Sequence, residues 1–301
     1  MELGMIGLGR MGANMTERLV RGGHRVVGFD LKAESRTRVE AIGAESAPSL
    51  GELLAKLQTP RILWLMVPAG EVTDGTVTTL LPLLSAGDTI VDGGNSNYKD
   101  TLRRAAMLAA KQLHYVDCGT SGGVWGLAEG YSMMVGGEPA VVERLRAIFE
   151  TLAPAKDRGW GRVGPVGSGH FTKMIHNGIE YGLMQAYAEG FSILQHKEEF
   201  GLDLHQIAEI WRHGSVVRSW LLDLAADALD KNPTLKGIAP YVEDSGEGRW
   251  TVSEAIDLNV AAPVIALSLL ERLRSRDADS FADKLLAAMR NEFGGHAIKT
   301  E

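Results

Sequence analysis

The first half of the chain alternates between short apolar runs and longer segments in which apolar residues recur every three or four positions. The short runs predict five strands, at residues 3–6, 26–29, 62–67, 89–92 and 115–117. The longer segments, such as residues 11–20 and 101–110, have the periodicity of amphipathic helices. Strands that alternate with helices in this way indicate parallel β-α-β units. Further strands are expected at residues 133–135 and near Val163.

The pattern changes near Gly164, after which strand-like runs cease. Apolar residues from Phe171 onwards recur at helical spacing and predict one helix of about 30 residues that ends near Gln195. The sequence therefore predicts an α/β domain at residues 1–164 followed by an all-α domain at residues 165–301.

Two more helices of the second domain carry start signals. Asp203 lies three residues before Gln206, and Thr251 lies three residues before Glu254. This is the spacing of a capping box, in which the first residue caps the helix through its side-chain oxygen. Helices are therefore expected to begin directly after Asp203 and Thr251.

Composition narrows the class of protein. A chain of 301 residues with 45% hydrophobic residues can bury a core in each of two domains. It has no apolar run of the roughly 20 residues that a membrane helix needs, and no signal peptide is expected at its start. The single cysteine, Cys118, excludes a disulfide framework, so we expect an intracellular, cytoplasmic protein. A net charge of −7 argues against a nucleic-acid partner.

The segment Gly7-Leu8-Gly9-Arg10-Met11-Gly12 matches the pattern G-x-G-x-x-G between a predicted strand and a predicted helix. In this setting Gly7 permits a tight turn, Gly9 lets the backbone approach a pyrophosphate, and Gly12 lets the helix pack closely on the strand. The amide groups at the start of the helix then bind the phosphates. The motif predicts a Rossmann-type dinucleotide site, and the alternative is a glycine turn without a ligand.

Asp30 follows the second predicted strand, 23 residues after Gly7. A carboxylate at this point accepts hydrogen bonds from the adenine ribose and repels a 2′-phosphate, which favours NAD over NADP. The alternative is that Asp30 caps the next helix. Val67 and Pro68 end another strand and are expected to line the nicotinamide side of the site.

A second group of polar residues lies at the start of the long predicted helix. Lys173, His176, Asn177, Glu180 and Tyr181 are spaced so that they share one face of a helix. Lys173 and Glu180 alone would also fit a solvated, ion-paired surface. Polar loops at 92–96 and 120–123 follow two Rossmann strands, however, where a substrate is expected to bind. The eight histidines show no metal-binding spacing, so no metal site is expected.

These segments resemble the decarboxylating 6-phosphogluconate dehydrogenases, within the broader β-hydroxyacid dehydrogenase superfamily. The resemblance covers nearly the whole chain, at residues 7–14, 92–100, 121–123, 169–181, 249–251 and 290–296. The helix motif and Asp-Gly-Gly-Asn-Ser are specific to that family, whereas Ser-Gly-Gly is shared with 3-hydroxyisobutyrate dehydrogenases. Because the chain is far shorter than the long members, it looks like the short, NAD-preferring form.

The resemblance implies oxidative decarboxylation of 6-phospho-D-gluconate to D-ribulose 5-phosphate and CO2, a step of the pentose phosphate pathway. It implies that Lys173 is the general base on the 3-hydroxyl and that Glu180 later protonates the enediol carbon. The residues implied to hold the sugar acid are Asn95, which also faces the cofactor, and Ser121, Gly122, Gly123, His176 and Asn177. Tyr181 and Arg272 would bind the phosphate. Arg290 and His296 would reach a neighbouring subunit, which implies a homodimer or homotetramer.

A lysine can act as this base only if it is neutral when the substrate binds. Free lysine titrates about three pH units above neutrality. We expect burial and neighbouring cations to lower the pKa of Lys173, so that the amine takes a proton during oxidation and returns one to the ketone afterwards.

The segment at residues 244–251, which corresponds to the phosphate loop of the family, differs in sequence from that of the long members. Ser245 stands where they have a lysine, and Glu247 stands where they have a threonine, so one cation is lost and one acid is gained. Arg249 is expected to compensate in part.

One alternative to 6-phosphogluconate dehydrogenase activity is a dehydrogenase of the 3-hydroxyisobutyrate type, which would share Lys173 and Asn177 but act on a non-phosphorylated substrate. Another alternative is a catalytically silent NAD-binding sensor or scaffold.

Overall fold

The computed structural model describes residues 1–294 and 297–299. The chain divides into two compact units, Met1–His176 and Asn177–Glu301. One long helix, Ser168–His196, begins in the first unit and ends in the second. The proposed division after residue 164 precedes this helix and stays a prediction.

The first unit is built on a single eight-stranded sheet in the order β3-β2-β1-β4-β5-β6-β7-β8. All neighbouring pairs are parallel except β6 and β7, which are antiparallel. The strands are β1 (Glu2–Ile6), β2 (Arg25–Phe29), β3 (Glu45–Ala47), β4 (Ile62–Leu65), β5 (Thr89–Asp92), β6 (His114–Ser121), β7 (Ser132–Gly136) and β8 (Trp160–Gly164). The strand order reverses direction between β1 and β4, and ligands of doubly wound sheets bind at the carboxyl ends of strands beside such a point.

Helices connect the strands and then form the second unit. The α-helices that lie between strands are α1 (Arg10–Arg21), α2 (Ala33–Glu40), α3 (Leu50–Ala55), α4 (Glu71–Leu80), α5 (Tyr98–Ala109), α6 (Gly126–Glu129), α7 (Pro139–Arg144) and α8 (Arg146–Leu152). The remaining helices are α9 (Ser168–His196), α10 (Leu204–Arg212), α11 (Trp220–Lys231), α12 (Glu247–Asp257), α13 (Pro263–Arg274) and α14 (Phe281–Gly294). The predicted fold class, a Rossmann-type domain followed by helices, is confirmed.

The core lies on both faces of the sheet, because successive strand residues point to opposite sides. In β4, Ile62 and Trp64 pack in one core cluster, and Leu63 and Leu65 pack in the other. Helices α1, α7 and α8 contribute to the first cluster, and α3, α4 and α5 contribute to the second. A sheet covered on both faces holds its strand ends at fixed positions, and the loops of the site start from those ends.

Strand β3 (Glu45–Ala47) has no counterpart in the prediction. It is three residues long at the edge of the sheet and carries a glutamate and a serine. An edge strand exposes part of its surface, so it lacks the continuous apolar run by which the buried strands were recognised.

The two predicted capping boxes have different outcomes. The Asp203 side chain accepts a hydrogen bond from the Gln206 amide, 3.0 Å away, so that prediction is confirmed. The prediction that Thr251 starts a helix is wrong, because α12 already begins at Glu247. The Thr251 hydroxyl donates instead to the Glu247 carbonyl, 2.8 Å away and one turn earlier, as threonines inside helices do.

The second unit contains a small core and a large exposed apolar surface. Ala208, Leu222, Ala226 and Leu229 form the core with partly buried residues of α9 and α10. On α13 and α14, by contrast, Val264 is 66% exposed, Leu267 60% and Phe281 75%. Within residues 1–294 and 297–299, no helix combines the length and apolar character needed to span a bilayer.

Candidate active site

The glycine motif forms the turn between β1 and α1. Gly7 has a φ of +92°, and a Cβ at Gly12 would overlap with the Gly7 carbonyl, so both positions require glycine. Gly9 is different, because a Cβ there would meet no atom within 4 Å. Open space therefore lies in front of the first amides of α1, where a pyrophosphate fits. Arg10 begins the helix and is exposed, whereas Met11 is partly buried.

Asp30 lies directly after β2 and organises this turn. One carboxylate oxygen accepts from the Leu8 amide at 2.8 Å, and the other accepts from the Lys32 amide at 2.9 Å. Leu8 itself packs in the core. Asp30 is not the cap of α2, whose first flanking residue is Lys32, so the alternative of a helix cap does not hold. A carboxylate can accept further hydrogen bonds, so these contacts leave room for ribose hydroxyls.

The loop after β4 is held by two side chains of the first unit. The Thr73 hydroxyl donates to the Pro68 carbonyl at 2.9 Å, and Arg104 donates to the Gly70 carbonyl at 3.3 Å. Pro68 is exposed and Val67 is partly buried. Both lie at a strand end beside the switch point, as the nicotinamide prediction requires.

The loop after β5 is organised by the buried Asp92. Its carboxylate accepts from the Ser96 hydroxyl at 2.8 Å, the Gly94 amide at 3.2 Å and the Tyr115 hydroxyl at 2.8 Å. Ser96 is therefore an internal support of the loop. Asn95 is exposed at its tip, where its amide is accessible to a ligand.

The loop after β6 needs two unusual backbone conformations. Gly122 and Gly123 both have positive φ, 131° and 51°, which side-chain-bearing residues rarely adopt. Ser121 is the last residue of β6, so the Ser-Gly-Gly segment turns away at the end of the strand. The turn presents backbone amides without covering side chains, which suits a carboxylate ligand.

Lys173 lies in the second turn of α9 and is 6% exposed. Its Nζ is 3.3 Å from Nδ1 of His176, one turn later. Its Cβ packs against Gly119 of β6. The helix thus brings an amine and an imidazole together beside the strand that ends in Ser121.

Helix α9 continues into the second unit, where it carries Asn177, Glu180 and Tyr181. Their spacing from Lys173 places them on the same side of the helix, as predicted from the sequence. Asn177 and Tyr181 are buried, and Glu180 is partly exposed. The Arg272 guanidinium lies 3.6 Å from the centre of the Tyr181 ring, a cation–π contact that orders both side chains.

The segment before α12 is held by hydrogen bonds with the side chains of Tyr181 and Arg272. The Ser245 amide donates to the Tyr181 hydroxyl at 3.3 Å, and Arg272 donates to the Glu243 carbonyl at 2.8 Å. The buried Glu247 carboxylate accepts from the Ser245 hydroxyl. Ser245 and Glu247 are the two residues that differ from the long family members, and their side chains form a hydrogen bond with each other.

Arg249 and Arg276 bind one acid of this segment. Arg249 Nε lies 2.7 Å from one oxygen of Asp244, and Arg276 lies 3.6 Å from the other. The charge that Arg249 was expected to supply to a phosphate is therefore already paired with Asp244.

Two predicted residues come from the end of the chain. Arg290 is exposed on α14. His296 lies outside the described residues, so its placement beside a neighbouring subunit stays a prediction.

Two buried polar residues, Asp117 and His170, were not singled out from the sequence as site residues. Asp117 lies inside β6, and both of its carboxylate oxygens accept amides at the start of α9. The His170 ring bonds to Thr101 and to the Asp92 carbonyl. The sequence signal for Asp117 was its position as a charged residue within an otherwise apolar strand. A carboxylate is seldom fully buried unless it has partners, so this position indicates a buried carboxylate with partners.

Comparison with known proteins agrees with this architecture. The model for the NAD binding domain of 6-phosphogluconate dehydrogenase matches residues 2–161, and the model for the C-terminal domain of the same enzyme matches residues 169–284. The protein YqeC of Bacillus subtilis, named as a candidate 6-phosphogluconate dehydrogenase, is 46% identical over 99% of both chains. The NAD(+)-dependent, decarboxylating 6-phosphogluconate dehydrogenase of Haloferax volcanii is 44% identical over 99% of this chain and 98% of its own.

The 6-phosphogluconate dehydrogenase of Plasmodium falciparum has a similar structure, with a TM-score of 0.84 and 27% identity. The match covers all of this chain but 66% of the Plasmodium chain, so this chain spans about two thirds of that protein's length. The fold and these matches define a dehydrogenase with an N-terminal NAD binding domain. The chain belongs to the 6-phosphogluconate dehydrogenase family, and its length agrees with the shorter relatives.

Proposed function

We propose that the chain catalyses the oxidative decarboxylation of 6-phospho-D-gluconate to D-ribulose 5-phosphate and CO2, with NAD as the oxidant. The observation that carries this proposal is the placement of Lys173. Its side chain is buried against Gly119 near the end of β6, and its amine is 3.3 Å from His176. Family membership and the name of the Haloferax relative indicate the substrate.

Lys173 acts first as a general base and then as an acid. Burial penalises the charged form of an amine, and a neutral amine can take the proton of the 3-hydroxyl as a hydride leaves C3. NAD, when bound, accepts that hydride. The protonated amine then donates to the oxygen of the new ketone, and its charge stabilises the enolate that forms when CO2 leaves.

Glu180 completes the reaction. The bond between C1 and C2 breaks, and its electron pair moves towards the ketone, which leaves an enediol. Glu180 lies on the same side of α9 as Lys173 and gives a proton to the carbon that lost the carboxylate, while the enediol hydroxyl at C3 returns its proton to the Lys173 amine. The side chains and amides that hold the sugar acid are those of Asn95, Ser121, Gly122, Gly123, His176 and Asn177.

The glycine turn and the adjacent strand ends hold the cofactor. The residues assigned to it are Gly7, Leu8, Gly9, Arg10, Met11, Gly12, Asp30, Val67, Pro68 and Asn95. The open space at Gly9 supports a pyrophosphate at the start of α1. Asp30 favours NAD, because its carboxylate accepts ribose hydroxyls and repels a 2′-phosphate.

Tyr181 and Arg272 bind the phosphate. Their stacked pair is positioned by backbone contacts to Ser245 and Glu243, so the hydroxyl and the guanidinium are ordered before the ligand arrives. In this proposal, Arg290 and His296 of a neighbouring subunit also reach the phosphate end of the site.

A homo-oligomer, at least a dimer, is part of the proposal. Helices α13 and α14 expose apolar side chains over successive turns, including Leu267 at 60%, Leu270 at 54% and Leu286 at 55%. Apolar surface of this kind is seldom left in water by a soluble chain, and a second copy would cover it. The proposed enzyme works in the cytoplasm, because its charged cofactor and substrate do not cross a bilayer unaided.

The test is an assay of the purified protein with 6-phosphogluconate and with 3-hydroxyisobutyrate, each with NAD and NADP. We expect absorbance at 340 nm to rise with 6-phosphogluconate and NAD, together with one trapped CO2 for each NADH. Oxidation of 3-hydroxyisobutyrate in preference, or NADH without CO2, would contradict the proposal.

Lys173→Met tests the role of the base. We expect the turnover to fall by about 10²–10⁴-fold while NAD affinity is retained. Lys111→Met is the matched control, since Lys111 is exposed in the turn after α5. Full activity of Lys173→Met would show that another group removes the proton.

A further inference from the structure

The start of α9 is anchored to the sheet by a buried carboxylate. Asp117 is 0% exposed in β6, and its Oδ1 and Oδ2 accept from the amides of Gly167 and His170, at 2.7 and 2.8 Å. The first amides of a helix have no partners within the helix, and the helix dipole favours a negative charge beside them. Within the described part of the chain, no basic side chain forms an ion pair with Asp117, and the carboxylate is bound instead by these two backbone amides.

The His170 ring connects the same turn to the neighbouring strand. The ring is 2% exposed, with Nε2 3.2 Å from the Asp92 carbonyl and Nδ1 2.7 Å from the Thr101 hydroxyl. A carbonyl only accepts, so Nε2 carries a proton and donates to Asp92, and Nδ1 shares a hydrogen bond with the Thr101 hydroxyl. Asp92 also organises the loop that presents Asn95, so His170 couples α9 to that loop.

Lys173 is one turn beyond His170, and it packs on Gly119, two residues beyond Asp117 in the same strand. The anchor therefore fixes both the rotation and the axial position of the helix turn that carries the amine. If that turn frays or rotates, the amine moves relative to the loops after β5 and β6. A displacement of about 1 Å at a reacting group can reduce the rate by about 100-fold.

We propose that Asp117 and His170 are positioning residues that hold Lys173 in the geometry required for proton transfer. This inference rests on the proposed function, because it takes Lys173 as the base. A positioning role goes beyond structural support, because a small loosening of this turn should lower the rate of the chemical step more than the affinity for the cofactor.

The test compares Asp117→Asn with Asp88→Asn. Asp88, directly before β5, is also 0% exposed. Its carboxylate accepts hydrogen bonds from the amides of Arg61 and Ser85, at 2.6 and 3.0 Å, and forms an ion pair with the Arg61 guanidinium at 3.0 Å. In both places the substitution replaces one of two carboxylate acceptors of backbone amides with an NH2 donor, and at Asp88 it also weakens the ion pair with Arg61. We expect both variants to have a lower Tm. Only Asp117→Asn should lose turnover, by about 10–100-fold, with NAD affinity within twofold of wild type.

Two further readouts separate positioning from stability. In Asp117→Asn we expect faster hydrogen exchange at the amides of Gly167 and His170. We also expect a larger kinetic isotope effect on kcat with substrate deuterated at C3, because hydride transfer becomes more rate-limiting. Asp88→Asn should change neither the exchange rates of these two amides nor the isotope effect on kcat. Faster exchange with unchanged kcat, or equal losses of kcat in the two variants, would overturn the inference.

His170→Leu is the second variant, for use if Asp117→Asn does not fold. Its control is His24→Leu, because His24 is another buried histidine of the first unit and bonds to Thr151 far along the sequence. We expect kcat to fall in His170→Leu alone. If Lys173→Met is active while Asp117→Asn still shows faster exchange, the assignment of Lys173 as the base fails and the anchor of α9 remains. Wild-type kcat in His170→Leu would refute the positioning role.

Discussion

Gly119 of β6 lies directly beneath Lys173 of α9, so closely that a Cβ at position 119 would come within 3.0 Å of the Lys173 Cβ. The same Cβ would lie 2.7 Å from the Gly169 carbonyl. A glycine here lets the helix approach the strand more closely than any other residue would permit. The position of the proposed base therefore depends on the absence of a side chain in the strand.

Gly119→Ala should push this part of α9 away from β6. Overpacking of a well-packed contact costs about 1–3 kcal/mol, and we expect the free energy of unfolding to fall by that amount. We expect kcat to fall by at least about tenfold, because the Lys173 amine moves with its helix. Urea unfolding and steady-state kinetics measure the two effects.

The matched control is Gly75→Ala in α4, where a Cβ would meet no atom within 4 Å. Alanine favours a helix by about 1 kcal/mol over glycine, so this variant should be as stable as wild type or more stable, with unchanged kcat. Wild-type kcat in Gly119→Ala would show that the close contact does not determine the position of the base.

Asp30→Asn should change the choice of cofactor. The substitution keeps the size of the side chain but removes the negative charge that accepts ribose hydroxyls and repels a 2′-phosphate. Hydrogen bonds to charged groups contribute about 1.5–3 kcal/mol, so the ratio of kcat/KM for NAD over NADP should fall by about 10-fold or more. Glu34→Gln, an exposed acid on α2, removes the same charge without this contact and should leave the ratio unchanged. An unchanged ratio in Asp30→Asn would contradict the ribose contact.

Arg272→Lys should weaken binding of the phosphorylated substrate. Lysine keeps the charge but lacks the planar group that stacks on Tyr181 and donates to the Glu243 carbonyl. We expect KM for 6-phosphogluconate to rise by about 10-fold, with KM for NAD unchanged. Arg274→Lys, which alters an exposed ion pair with Asp283, is the control. If the two variants have the same KM for 6-phosphogluconate, Arg272 does not bind the phosphate.

Sequence patterns were sufficient for elements whose signal is local. The strand before Gly7 and the helix that contains Lys173 were both predicted, because buried strands and long helices repeat their apolar positions regularly. The start of α12 was not, since the Thr251 hydroxyl has a partner one turn earlier that spacing alone does not reveal.

The supports of the candidate site depend on contacts between distant parts of the chain. Asp117 accepts amides 50 and 53 residues later, and His170 contacts a carbonyl 78 residues earlier. Ser96 and Asn95 are adjacent and equally polar in sequence, yet Ser96 is buried against Asp92 and Asn95 is exposed. Only the folded arrangement distinguishes the support from the residue accessible to a ligand.

Cys118 should be unreactive while the protein is folded. Burial raises the pKa of its thiol to about 12, and the thiolate is the reactive form. We expect a thiol reagent at about pH 8 to label the native protein at least about 100-fold more slowly than the protein in concentrated guanidinium chloride. Because Cys118 is the single cysteine, labelling reports opening of β6 directly. Rapid labelling of the native, active protein would show that this strand is accessible to solvent.

His24 should make the folded protein less stable in mild acid. The Thr151 hydroxyl donates to the Ala147 carbonyl at 2.8 Å, so His24 Nε2 donates to that hydroxyl at 2.9 Å. Its Nδ1 is then unprotonated, and it is buried without a partner among the described residues. Burial lowers the pKa of His24 from its usual 6.5, and the positive N-terminus acts in the same direction.

As the pH falls through 6.5, the unfolded chain therefore takes up a proton that the folded protein does not. The contribution of His24 to stability is complete above that pH and is lost as the pH falls towards the lower pKa of the folded state. We expect the urea midpoint to fall between about pH 7.5 and pH 5.5, and to fall less in His24→Gln. His213→Gln, at an exposed histidine, should behave as wild type. An equal fall in wild type and His24→Gln would assign the acid sensitivity to other groups.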